Sequence, residues 1–263
     1  MVMRAPCSEL EVGVRVWGAD MCQRLAICDG AANAGRSYFE GAFVPQGNWR
    51  NCTDSELAML VMSQLPTRPA RGSTIQLVRV LSQYAVEREW AEEPESPFLA
   101  RHQELVDACW ALHDSRSPCS VLGYYVNRPG LATVSRDASN GKFVGLHIDS
   151  WDRAPMHSRA ASRNRICINL GRENRYFLFV NMSIGRCAEL AGDSQCPDWN
   201  YIVKEFFRKC GGYPIIRLLV APGEAYIAPT ENIIHDGSSL GMVGMDATFT
   251  LLGTFWESNL PAC

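Results

Sequence analysis

The stretch Gly145-Leu146-His147-Ile148-Asp149-Ser150-Trp151-Asp152 decides how this chain is read. From Lys142 to Asp149 the residues alternate as a strand requires. Val144, Leu146 and Ile148 point to one face; Gly145, His147 and Asp149 point to the other. An imidazole and a carboxylate two residues apart on a strand therefore enter the same space. A third ligand from elsewhere would complete a facial triad. Two histidines and one carboxylate leave positions on a metal open, which suits Fe(II) and oxygen chemistry. By itself His-x-Asp is a frequent pattern, so the surrounding chain has to supply the third ligand.

That ligand is expected in Ala228-Pro229-Thr230-Glu231-Asn232-Ile233-Ile234-His235-Asp236-Gly237. The chain holds five histidines. His102 and His113 fall in expected helices, and His157 falls in a polar, Arg-rich loop. His235, between two expected strands, is the best third ligand. His157 is the fallback, because a mobile loop makes a poor fixed ligand.

The 263 residues suffice for one large domain with a sizeable core. An apolar content of 47% with 20% charged residues fits a globular protein. A net charge of -3 offers no positive field for nucleic acid, so a small-molecule substrate is expected. The eleven cysteines include no C-x-x-C pair. Cys109, Cys167 and Cys210 sit in or beside apolar runs, which reads as buried free thiols in a reducing cytosol. No apolar run approaches a membrane span, and the N-terminus lacks the apolar region of a signal peptide. The expectation is a cytoplasmic protein without membrane contact.

The period of the pattern divides the chain. Up to about residue 115 it reads as a helix-rich scaffold. Leu10 to Trp17 is a weak strand, and Gly30 to Gly47 holds loops and short strands. Thr53 or Asp54 caps a helix running to about Leu65 and ended by Pro66. Thr74 to about Trp90 carries Ile75, Val78, Leu81 and Ala85 near helical spacing, and Leu99 to His113 repeats the pattern. From residue 116 the period switches to two. Strands are expected at Val121–Asn127, Leu131–Arg136, Lys142–Asp149, Arg165–Leu170, Arg175–Met182, Pro214–Val220, Glu224–Ala228 and Ala247–Trp256. One helix interrupts them near 198–210, with Trp199, Ile202, Val203, Phe206 and Phe207 on one face, Asp198 at its start and Gly211 at its end. The fold class is α+β with a mainly β core: a two-sheet jelly roll of the cupin kind with N-terminal helices packed on it, all in one domain spanning 1–263.

Residues 119 to 256 resemble the Fe(II)/2-oxoglutarate-dependent oxygenases. Members of that superfamily hold iron with His-x-Asp and a distant His in a double-stranded β-helix, and His147, Asp149 and His235 match residue by residue. The phrases Val-Gly-Leu-His-Ile-Asp-Ser-Trp-Asp, Asn-Arg-Tyr-Phe-Leu-Phe-Val-Asn and Tyr-Ile-Ala-Pro-Thr-Glu-Asn-Ile-Ile-His-Asp-Gly are similar to small-molecule hydroxylases of bacterial biosynthesis. The resemblance implies Fe(II), 2-oxoglutarate as co-substrate, O2, and hydroxylation of an unactivated C–H bond, for instance in an amino acid or natural-product intermediate. Asp149 argues against a halogenase, whose resemblance demands a small residue there.

The chain departs from the superfamily in one respect. Many members bind the distal carboxylate of 2-oxoglutarate with an Arg about ten residues beyond the last His. Here no Arg or Lys follows Arg217, and Thr248 and Thr250 stand on that strand. A buried carboxylate requires a cation, so the anchor must come from another strand. Arg165 is the first choice: it shares a strand face with Cys167 and Asn169, and a guanidinium grips a carboxylate with two parallel hydrogen bonds. Arg175 and Arg217 are runners-up. Trp151 and Arg128 are candidate substrate contacts, and Arg153, Arg159 and Arg163 stand in a loop that could form a lid. The rival expectation is a cupin-type, metal-dependent oxidoreductase or isomerase that does not use 2-oxoglutarate.

Overall fold

A computed structural model describes residues 9–11, 13–64, 71–81, 103–192 and 198–257. In chain order the strands and helices begin with β1 (Arg15–Trp17), α1 (Met21–Arg24), β2 (Leu25–Cys28), β3 (Ala31–Asn33), β4 (Phe43–Pro45), β5 (Arg50–Asn51), α2 (Asp54–Leu60) and β6 (Thr74–Arg79). There follow α3 (Gln103–Trp110), β7 (Ser120–Asn127), a 3-10 turn at Met156–Ala161, β8 (Asn164–Asn169), β9 (Arg175–Ser183), α4 (Ile184–Ala191) and α5 (Trp199–Lys209). The chain closes with β10 (Ile215–Val220), β11 (Glu224–Ala228), β12 (Ile233–Ser238) and β13 (Asp246–Gly253).

The architecture is mixed α+β, mainly β. One sheet has the order β1-β6-β11-β8-β13-β7, a second has β12-β9-β10-β2-β5, and β3 pairs with β4 alone. The two large sheets pack face to face. Between them lie Ile75, Leu77, Cys167 and Tyr226 from the first, and Ile27, Phe177, Phe179, Ile216 and Leu218 from the second. Among the described residues the sheets do not close into a barrel.

Each sheet has a helical cover on its outer face. Leu105 and Cys109 of α3 pack on Ile166, Ile168, Phe249 and Leu251 of the first sheet. On the second sheet, Leu178, Val180 and Ile215 meet Cys187 and Ala188 of α4 and Ile202, Val203, Phe206 and Phe207 of α5. The helix α5 follows from its sequence: Asp198 accepts from the backbone N–H of Asn200 and Tyr201, and the apolar stripe seats on the sheet. Its C-cap is Cys210, one residue earlier than expected. Thr53 and Glu56 form a reciprocal capping box on α2. That helix stops at Leu60, because Val61 turns to bridge with Val16.

Several sequence expectations are corrected. Thr74–Arg79 is a strand, not a helix; Thr74 to Val78 are all buried between neighbours on both sides, so the alternation that marks a strand is absent. Past Leu81 the rest of that expected helix, with Ala85, lies outside the described residues, as do the Leu99 end of the next, Pro66 and His102. Far from only covering the sheets, the N-terminal segment supplies strands to both of them. The helix α4, capped by Ser183 and ended by Gly192 at φ +83°, was not expected. Leu131–Arg136 forms no regular ladder: it bends at Ala132, and the Ser135 N–H goes to the Asp236 carboxylate while Val134 N–H is shared between that carboxylate and the Gly237 carbonyl. Cys210 is disulfide-bonded and so is not a free thiol, whereas Cys109 and Cys167 are free and buried. No described helix is long and apolar enough to cross a membrane.

The Arg-rich loop is a clasp. Arg159, 1% exposed, donates to the carbonyls of Asp149 (2.8 Å) and Glu231 (2.7 Å) and to Ser150 Oγ (2.9 Å). Its guanidinium stacks 3.6 Å from the Trp199 ring of α5. Arg163 pairs with Asp152. The lid expectation therefore fails for these two, which anchor the loop to the segments carrying Asp149 and His235. We expect Arg159→Met to cost about 3 to 5 kcal/mol, since it strands several buried acceptors at once. Urea denaturation would show a lower midpoint at unchanged slope; a loss under about 1 kcal/mol would mean the clasp is peripheral.

Candidate metal centre

His147 does not sit in a regular strand. The segment from Lys142 to Asp149 is extended but paired only at isolated bridges, Phe143 to Tyr38 and Arg136, and His147 to His235. The cause is Gly145, whose φ of +78° breaks the pleat. A Cβ there would lie 2.6 Å from the Phe43 carbonyl oxygen, so glycine is required on two counts. Beyond the kink the alternation returns. Leu146 and Ile148 enter the core under α4 and α5, while His147 and Asp149 face a cavity of about 460 Å3. Val144, before the kink, lines that cavity instead of joining Leu146 and Ile148.

His235 lies within β12, not between strands, just past an irregularity in the β12–β9 register. His147 N–H donates to His235 O (3.0 Å), and His235 N–H donates to His147 O (2.8 Å). Residues exchanging both hydrogen bonds stand directly opposite, with side chains on one side. Their rings are 4.7 Å apart, and ligand atoms of His147, Asp149 and His235 all lie within 4.8 Å of one another.

This group could hold a metal ion, and its donor atoms are prepared for one. His147 Nδ1 lies 2.8 Å from Gly145 O, and His235 Nδ1 lies 3.1 Å from Ile233 O. Donation to these carbonyls places the ring proton on Nδ1 and a lone pair on Nε2. Each Nε2 approaches the Asp149 carboxylate, at 3.7 Å from His147 and 3.6 Å from His235. His235 Nε2 is buried with no hydrogen-bond partner, and the buried Asp149 Oδ2 makes no hydrogen bond beyond its ion pair with Arg165. Buried polar atoms without partners are costly, and a shared cation would satisfy them together.

The electrostatics agree with this. Burial disfavours a charged His147, but the Asp149 and Asp236 carboxylates outweigh it and lift its pKa to about 10. Burial holds His235 down at about 4 against the pull of Asp149. Burial would raise Asp149, yet Arg165, His235 and His147 keep it well below the usual carboxylate range. The pocket therefore selects one positive charge between the carboxylates, and in the absence of a metal a proton on His147 takes that role.

Asp236 was not singled out in the sequence. It is fully buried, and its Oδ1 accepts from Val134 N, Ser135 N, Ser135 Oγ and Gly237 N. Its Oδ2, without a hydrogen bond, lies 3.5 Å from His147 Nδ1. The available signal was an acid directly after the late histidine, in a strand that opens on two isoleucines.

The other sequence candidates divide. Arg165, Thr248, Thr250 and Trp151 line the cavity, as do Arg175, Cys167 and Tyr226. Arg165 Nη2 is 2.7 Å from Asp149 Oδ2. Arg175 is held by Asp246 (Nε to Oδ1, 2.7 Å). Asn169 is used elsewhere: its amide donates to the carbonyls of Glu173 and Val220, and Oδ1 accepts from Gly171 N. Arg128 is exposed and away from the lining, Arg217 stacks between Trp49 and Tyr176, and His157 is exposed on the 3-10 turn. No protein-family model and no curated protein matches the chain.

Two outcomes follow from this geometry. Binding of a divalent ion at neutral pH should release about one proton, from His147, so affinity should rise about ten-fold per pH unit between about pH 5 and 9. Calorimetry in two buffers of different protonation enthalpy measures this, and zero protons released would contradict a charged His147 in the metal-free protein. Asp236→Asn should weaken metal binding about 10- to 100-fold; an unchanged Kd would remove Asp236 from the site.

Proposed function

We propose that this chain is a non-haem Fe(II)/2-oxoglutarate-dependent oxygenase that oxidises, by default hydroxylates, a C–H bond of a small molecule. The observation carrying this reading is the convergence of His147, Asp149 and His235, whose ligand atoms lie within 4.8 Å of one another with His235 Nε2 buried and unpartnered. Two neutral imidazoles and one carboxylate leave room on the metal, the feature that oxygen-activating iron sites share.

The double-stranded β-helix belongs to the same proposal. From β7 on the chain passes back and forth between the sheets: β7 and β8 in the first, β9 and β10 in the second, β11 in the first, β12 in the second, β13 in the first. The extended segment carrying His147 bridges to β12 and takes the place of the remaining strand. This alternation supports a jelly roll of the cupin kind.

Bound iron supplies the oxidising power, with O2 and the 2-oxo acid. The protein supplies position and dryness. His147, Asp149 and His235 hold the metal. Arg165 and Arg175 offer two guanidinium groups for the distal carboxylate of 2-oxoglutarate. Thr248 and Thr250 pair with Asn169 and Cys167 across β8 and add hydroxyls to the same wall. Gly237 gives the Arg175 guanidinium its room, because a Cβ there would lie 2.5 Å from Nη2 and displace it.

The rival, a cupin-type enzyme that uses no 2-oxoglutarate, has one observation in its favour. Both of these arginines already have carboxylate partners, Asp149 and Asp246. Anaerobic addition of Fe(II) and then 2-oxoglutarate separates the readings. The proposal expects a visible charge-transfer absorption that His235→Ala abolishes, and succinate release once O2 is admitted. Metal binding without either signal would favour the rival.

A further inference from the structure

Arg136 also lines the cavity, and its situation differs from that of Arg165 and Arg175. Among the described residues it has no carboxylate within ion-pair distance. Its guanidinium lies 4.3 Å from the centroid of the Phe143 ring, and Phe143, 4% exposed, packs in turn against the tilted Tyr38 ring at 5.2 Å. A cation held against an aromatic face keeps its N–H edge available for a planar anion.

Its backbone is fixed to the metal centre from two sides. Arg136 bridges Phe143, and Val144 N–H donates to Ser135 O (2.9 Å). Val134 and Ser135 are bonded to Asp236, the neighbour of His235. Phe143 lies four residues before His147, which at roughly 3.3 Å per residue is about 13 Å or less. Leu122, Val126, Val134 and Val144 give the wall an apolar stretch beside the neutral polar groups of Asn127, Ser135, Thr248 and Thr250. Tyr125 and Trp151, 46% and 53% exposed, place aromatic surface at the mouth. The one carboxylate in the lining is Asp149, already engaged with Arg165 and the histidines. A substrate ammonium group would find no counter-charge.

We propose that Arg136 is the specificity-determining residue of this site, and that the substrate is a carboxylic acid with an apolar body and no free ammonium group. The proposal rests on the oxygenase reading for the reaction, but the recognition it describes is measurable without turnover. It assigns to Arg136 the substrate contact that the sequence suggested for Arg128.

The test uses the full chain loaded anaerobically with Fe(II) and 2-oxoglutarate. It is titrated with 3-phenylpropionate, 3-phenylpropanamide and phenylalanine, with tryptophan fluorescence and the charge-transfer absorption followed together. The acid should bind at least ten-fold tighter than the amide or the amino acid. Arg136→Gln should bring acid and amide to within about two-fold, and Arg136→Lys should keep part of the preference. Both variants should retain wild-type metal affinity and 2-oxoglutarate absorption. The proposal is overturned if Arg136→Gln keeps the preference, if the three probes bind alike or not at all, or if the acid displaces 2-oxoglutarate. If the 2-oxoglutarate signal is absent from wild type, the oxygenase reading fails. Repeating the titration on the metal-loaded protein then decides the role of Arg136 separately.

Discussion

Two backbone hydrogen bonds, exchanged between His147 and His235, are the constraint on which the rest of the site depends. They join a segment that belongs to no regular strand to the edge strand β12 of the second sheet. A pair bonded in this way leaves no freedom in which residues face each other, so the imidazoles must share one side. Asp149 follows on the same face of the extended chain, and its N–H is itself tied to the Thr230 carbonyl. The ligand set is thus held by main-chain bonds, which fix side chains more tightly than a loop can.

The polar groups around this bridge form a largely paired interior that leaves a few buried atoms, among them Asp236 Oδ2 and Glu231 Oε2, without a hydrogen bond. Arg159 binds the carbonyls of Asp149 and Glu231 from behind, and Glu231 Oε1 accepts from the N–H groups of Trp151 and Asp152. Asp236 closes the other side against His147, and Asp246 holds Arg175. Such an arrangement contributes little net stability, because desolvation offsets much of the Coulomb attraction. What it supplies is a defined shape for the cavity and a bias toward one added cation. The apolar clusters under α3 and under α4 and α5 carry the stability that this interior does not.

Much of the site was legible in the sequence, because strand alternation acts over two residues and needs no knowledge of the fold. His147, Asp149, Arg165, Thr248 and Thr250 line one cavity with His235, as their positions on expected strands implied. Less legible was anything decided by a distant partner. The positive φ at Gly145, where the Phe43 carbonyl leaves no space for a side chain, breaks the alternation and leaves Val144 on the cavity wall. Asn169 was taken by the carbonyls of Glu173 and Val220 at a strand end. Asp236 and Arg136 gained their roles only once β12 met the segments at 134–136 and 143–147. The helix expected at Thr74 failed for a related reason: a strand buried on both faces has lost the period by which strands are recognised.

The central claim is that three side chains share one cation, and a crystal structure grown anaerobically with Fe(II) tests it most directly. The account predicts a single anomalous peak at the iron edge within about 2.2 Å of His147 Nε2, His235 Nε2 and an Asp149 oxygen, as first-row divalent ions require of such ligands. Iron held at another site, or no peak between these residues at full loading, would contradict it.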